Sequence, residues 1–87
     1  MPLHPPHQLD LKGLKCPMPV IKVQQAARNL APGSQLEVLV TDPAAEKDLA
    51  SWCRINKHDF ISCAIFAQPE PQVAPTVWQI RLKLKES

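Results

Sequence analysis

The sequence predicts an α/β (α+β) chain, a two-layer βαβαββ sandwich in which a mixed four-stranded sheet carries two helices packed on one face. Three observations lead there. Apolar residues alternate at Leu36, Val38 and Val40, and again at Trp78, Ile80, Leu82 and Leu84, which is the period of half-buried strands. Val20, Val23, Ala27 and Leu30 recur at helical spacing instead. Strand-like and helical stretches also alternate along the chain. A strand–helix–strand unit in one sheet makes its strands parallel, with a right-handed crossover.

Residues 1–8 hold prolines and histidines (Pro2, His4, Pro5, Pro6, His7) and are expected to form a flexible N-terminal arm; residues 9–87 form a single domain. Leu9, Leu11 and Leu14 mark a short first strand closed by Gly13. The first helix is expected from Pro17 to Ala31, with Lys22, Gln24, Gln25, Arg28 and Asn29 on its polar surface, and Pro32-Gly33 stops it. After the second strand comes Asp42-Pro43, where Asp is a good N-cap and Pro suits the first helical position. The second helix should then run from Pro43 to Asn56 with Leu49, Trp52, Cys53 and Asn56 near one stripe. Phe60 to Ala67 is a third strand, apolar on both faces, and residues 68–75 are a proline-rich hairpin connection. In the last strand Gln79, Arg81, Lys83 and Lys85 oppose the apolar set, so the open face of the sheet should bear Glu37, Arg81 and Lys83.

A chain of 87 residues suits one domain with a thin core. Its 45% hydrophobic content is that of a globular protein, and no apolar run approaches the roughly 20 residues that span a bilayer. The opening stretch lacks a basic start followed by an apolar run, so no secretory signal is expected there, and a cytoplasmic protein without membrane contact is the expectation. A formal charge of +2 is too small to imply nucleic acid, although Lys12, Lys15 and Lys22 gather around Cys16 and Arg81, Lys83 and Lys85 near the C-terminus. Three cysteines (Cys16, Cys53, Cys63) with no C-x-x-C pair argue against a disulfide framework, a zinc half-site or a dithiol.

Chemistry concentrates at Cys16-Pro17-Met18-Pro19. Pro17 disfavours a helical conformation for Cys16, so Cys16 should be extended, as an N-cap is, with Pro17 as first helical residue and Pro19 as third. Met18 and Val20 would then supply the free N–H groups nearest the sulfur. The partial positive charge of a helix start, with Lys15 and Lys12, should lower the thiol pKa and favour a thiolate or persulfide anion. The C-P-x-P pattern alone leaves two readings open: a reactive thiol, and a small apolar residue that happens to begin a helix. Cys53, on the second helix's stripe, and Cys63, inside a strand, read as core packing. Asp42 reads first as a helix cap; in parallel strands it also shares a sheet edge with Cys16, where it would orient a partner or balance charge. His58 reads as the cationic close of the second helix, and a metal site built from His4, His7 or His58 is not expected.

Leu9-Asp10-x-x-Gly13-Leu14-x-Cys16-Pro17-x-Pro19 resembles the signature of the TusA-like (SirA-like) sulfur carrier family. The resemblance continues through Pro32-Gly33, Thr41-Asp42-Pro43, Asp48, Cys53 and His58, and ends near Ile80-Arg81. It implies the same βαβαββ sandwich. It also implies that Cys16 takes a sulfane sulfur as a persulfide; Asp10, Gly13, Lys15, Pro17, Pro19 and Asp42 are the expected supporting residues. The donor it implies is a pyridoxal-phosphate cysteine desulfurase or a rhodanese-like protein, and the recipient a relay protein serving tRNA thiolation or another sulfur pathway. The pyridoxal phosphate belongs to the donor, and the chain itself needs no cofactor. A monomer that passes one sulfur per encounter, a protein substrate more than a self-contained catalyst, is the expectation. Met18 departs from the acidic residue that many members carry there, Lys57 from a glycine, and Pro69, Pro71 and Pro75 make the last connection unusually proline-rich.

Two other classes compete. The family's fold resembles the C-terminal domain of bacterial translation initiation factor three, so a regulatory or RNA-binding module on the same fold is the alternative; with 5% aromatic residues the chain lacks stacking platforms for it. A peroxide-sensing cysteine would want a resolving thiol and a neighbouring arginine, and Cys16 has neither beside it in sequence.

Overall fold

The structure, a computed structural model, describes residues 6–68 and 75–86. The elements run β1 (His7–Asp10), α1 (Met18–Arg28), β2 (Gln35–Val40), α2 (Ala45–Asn56), β3 (Asp59–Ala67) and β4 (Val77–Lys83). The sheet order is β1-β2-β4-β3. β1 and β2 are parallel, and β4 pairs antiparallel with β2 and β3. This is the mixed four-stranded α+β fold that the hydrophobic periodicities predict.

One core cluster joins the layers. Leu36, Val38 and Val40 of β2 and Ile80 and Leu82 of β4 are buried together with Val23 of α1 and Ala45, Leu49 and Cys53 of α2. Leu9, Leu14, Val20, Ala27, Leu30, Trp52, Phe60, Cys63 and Trp78 pack against it from the rim. Trp78, expected on the buried face, is half-buried there, between Val40 of β2 and Ile65 of β3. On the other face Glu37 stands opposite Arg81 and pairs with it at 3.1 Å, while Lys83 pairs with Glu86 at 3.2 Å.

Several element boundaries differ from expectation, each for a local reason. β1 begins at His7, because pairing with β2 starts at His7 opposite Leu36, and two residues assigned to the arm belong to the strand. It ends at Asp10, although the Leu11 N–H still donates to the Leu39 carbonyl at 2.9 Å before the chain turns at Lys12-Gly13. α1 ends at Arg28, since the Asn29 and Leu30 N–H groups donate to carbonyls three residues back in a tightened last turn. α2 begins at Ala45 with Ala44 as its cap, so Asp42 is not the N-cap and Pro43 not the first helical residue. Asp42 instead closes the turn ahead of the helix: its Oδ1 accepts the Ala44 N–H at 3.0 Å and its carbonyl the Ala45 N–H at 3.0 Å. Most of the expected hairpin connection (69–74) and most of the arm (1–5) lie outside the described residues.

α2 closes on Lys57, which adopts a left-handed backbone (φ 64°), and the His58 N–H reaches back to the Cys53 carbonyl at 2.8 Å. His58 is not the cation expected at a helix end. Its Nδ1 accepts the Lys85 N–H at 3.0 Å, and its ring lies 4.7 Å from that of Trp52. Burial, followed by the nearby Lys85 charge, lowers its pKa against the opposing pull of Asp59.

Candidate functional site

Because β1 and β2 are parallel, the turns that leave them lie at one edge of the sheet, and hydrogen bonds tie the two turns together. The Gly13 N–H donates to Thr41 Oγ1 at 2.9 Å. Gly13 has φ +86°, a conformation that a side chain would strain, so glycine suits the place where the chain leaves β1. The Cys16 N–H donates to Asp42 Oδ2 at 2.7 Å. One carboxylate thus receives the Ala44 amide on one oxygen and the Cys16 amide on the other. These two bonds, Ala44 first, hold the Asp42 carboxyl below the usual carboxylate range, with a smaller contribution from the Lys15 charge and some opposition from burial.

Cys16 is exposed at the tip of this turn. The Lys15 carbonyl accepts the Met18 N–H at 2.8 Å and the Pro17 carbonyl the Ile21 N–H at 3.2 Å, so the chain turns once before the helix is established. Pro17 is therefore the cap and Met18 the first helical residue, one position later than expected, and Cys16 lies outside the helix. The Cys16–Pro17 peptide is cis. Pro19 is buried, anchoring the start of α1, whereas Pro17 is exposed. The Met18 N–H, expected to be free beside the sulfur, is taken by Lys15.

The electrostatics reverse another expectation. The Cys16 thiol is pushed up, not down. The largest cause is its hydrogen-bonding interaction with the Asp48 carboxylate; desolvation, the Asp48 charge and the Asp42 charge follow. The lysines counted as activating groups are directed elsewhere: Lys12 pairs with Asp10 at 3.7 Å, and the Lys15 charge acts on Asp42. Asp10, at the end of β1, also accepts the Lys12 N–H at 3.2 Å, so it shapes the turn without touching the thiol. Asp48 and Thr41 are site neighbours that the sequence reading leaves out of the site, although both lie in the stretches that carry the family resemblance. Asp48 lies in the first turn of α2, and no spacing rule says that this turn faces Cys16 until the parallel crossover is in place.

The other cysteines differ. Cys53 is buried, and burial pushes its thiol up to about 11. Cys63 is half-buried, with its thiol raised by burial and by Glu46. Among the described residues no group of His, Cys, Asp and Glu side chains is placed to hold a metal ion, and no helix is long and apolar enough to cross a membrane.

The fold and the site define a small domain with one exposed thiol: Cys16 on a braced corner of an α+β fold, with the other two cysteines built into or against the core. A family model described as sulfurtransferase TusA matches residues 7–83. The chain belongs to the sulfurtransferase TusA family, which makes sulfur carriage its class of chemistry and sulfur-relay proteins its partners in general.

Proposed function

We propose that Cys16 is the sulfur-bearing residue, taking a sulfane sulfur as a persulfide from a cysteine desulfurase or a rhodanese-like donor and passing it to a relay protein. The observation that carries this reading is the exposure of Cys16 alone among the cysteines, on the turn that joins β1 to α1 in a sulfurtransferase-family chain. In the forward step the Cys16 thiol loses its proton and its sulfur bonds to the terminal sulfur of the donor's persulfide. The donor's S–S bond breaks, and the donor cysteine leaves as a thiolate that takes up a proton. One thiol and one persulfide exchange roles, so no outside oxidant or reductant is needed. Delivery repeats the exchange: an acceptor thiolate attacks the terminal sulfur, and Cys16 is the leaving group. An exposed thiol on a hydrogen-bonded turn suits insertion into a partner's active site. Partly exposed Met18 and Ile21, in the first turn of the helix that follows, offer apolar surface for the contact. The carrier acts in the cytoplasm as a monomer and serves tRNA thiolation or another sulfur-trafficking pathway.

The test is sulfur loading read by intact and peptide mass. Incubation with a cysteine desulfurase and cysteine should add one reductant-labile sulfur to Cys16. Cys16→Ser should fold normally and take none, while Cys53→Ser and Cys63→Ser load as the wild type does. Loading of Cys16→Ser at the wild-type level would sink the assignment.

A further inference from the structure

Asp48 Oδ2 is buried, yet among the described residues no donor meets it within hydrogen-bonding geometry. A carboxylate oxygen cut off from water without a donor is costly, so folded proteins rarely keep one without a reason. The polar group to which it is coupled is the Cys16 thiol. Among the described residues the other ionisable groups around the sulfur are Asp42, on the turn before α2, and Lys15, whose charge is directed at Asp42. Lys12 is engaged with Asp10, and the first turn of α1 carries no acidic residue. The charges acting on the thiol itself are thus both negative. That is an odd setting for a nucleophile, because only the thiolate attacks.

We propose that Asp48 holds Cys16 as a protonated thiol in the free carrier, and that a positive group brought by the docked sulfur donor releases it as the thiolate. The inference rests on the sulfur-carrier reading and adds to it a control residue and a partner chemistry. In the free protein the Cys16 S–H turns toward the Asp48 carboxylate as the donor its buried oxygen lacks, and Asp42 adds a second negative charge nearby. The exposed thiol is then slow toward stray oxidants and electrophiles. A cation set against this edge by the donor offsets both carboxylates and lowers the thiol pKa. The proton leaves, and the sulfur exchange described above proceeds. A donor with a neutral or acidic rim around its persulfide loads the carrier poorly.

The experiment uses the full chain. Iodoacetamide alkylation of Cys16 is followed by peptide mass from about pH 6 to about pH 10, for the wild type, for Asp48→Asn and for the wild type unfolded in denaturant. In Asp48→Asn the profile should move to lower pH, and the neutral-pH rate should rise about twofold to fivefold, less than the gain in thiolate because a less basic thiolate is a weaker nucleophile. Sulfur loading from a cysteine desulfurase should rise less than alkylation does, since the docked donor already offsets Asp48. Superimposable profiles for wild type and Asp48→Asn would overturn Asp48's hold on the thiol. An equal rise in loading and alkylation would overturn release by the donor. If Asp48→Asn lacks the wild-type circular dichroism, the wild type decides alone: a midpoint at or below that of the unfolded chain overturns the proposal. Absence of loading in the wild type from every donor would fell the sulfur-carrier reading, while the alkylation profiles still report on Asp48.

Discussion

At Asp42 one carboxylate does two structural jobs, bracing the Cys16 amide and the turn that starts α2. That it would lie beside Cys16 could be read from the sequence, because parallel strands put their exits at one edge. The sign of the electrostatics could not. Counting Lys12 and Lys15 near Cys16 along the chain points to an activated thiol; in space Lys12 pairs with Asp10, the Lys15 charge acts on Asp42, and the Asp48 carboxylate acts on the thiol from another element. His58 teaches the same lesson. Its type and position suggest a cation at a helix end, yet a ring nitrogen that accepts the Lys85 N–H must be unprotonated. The folded-state pKa is depressed, so the unfolded chain binds more protons just below the ordinary value of about 6.5. Stability from this group is complete above that value and is lost as pH falls through the folded pKa. Thermal melts should therefore show a falling Tm between about pH 7 and pH 5. His58→Asn, which keeps an acceptor but does not titrate, should lack this component. Equal slopes in the two proteins would remove His58 from the pH dependence.

At the scale of elements, the strands and helices were legible wherever a single period was sustained, as in β2 and β4. Ends and irregularities were not. β3 read as apolar on both faces; the structure has register shifts between Phe60 and Ser62 and between Ile65 and Ala67. Each shift departs from strict alternation, and Ile61, Ile65 and Phe66 stand 50%, 57% and 58% exposed. Alternation cannot announce a bulge built from ordinary side chains. The close of α2 is silent in this chain's own residue type, since Lys57 holds a left-handed backbone that favours glycine; only the family's glycine at that place hints at it. A side chain in that conformation costs about 1–2 kcal/mol, partly offset by glycine's larger unfolded-state entropy. Lys57→Gly should thus raise unfolding stability by about 0.5–1 kcal/mol and leave Cys16 alkylation unchanged. A loss of stability in urea titrations would mean that the Lys57 side chain matters more than its backbone.

For the whole molecule the decisive fact is a thin core shared by two layers. A domain of this size has a net stability of about 4–13 kcal/mol. Leu49 is fully buried in the core and comes directly after Asp48 on α2. Its packing anchors the first turns of α2, which carry the Asp48 carboxylate to the thiol edge. Leu49→Ala should destabilise by about 2–5 kcal/mol, a large share of the total, with an unchanged denaturant slope and a lower midpoint. The same substitution loosens the element that sets Cys16's environment. In the fraction that remains folded, the Cys16 alkylation profile should shift toward the ordinary thiol range, in the direction expected for Asp48→Asn. A loss below about 1 kcal/mol would show that α2 does not depend on this contact. A full loss of stability with an unmoved profile would show that Asp48 is positioned by its own turn and not by the core beneath it.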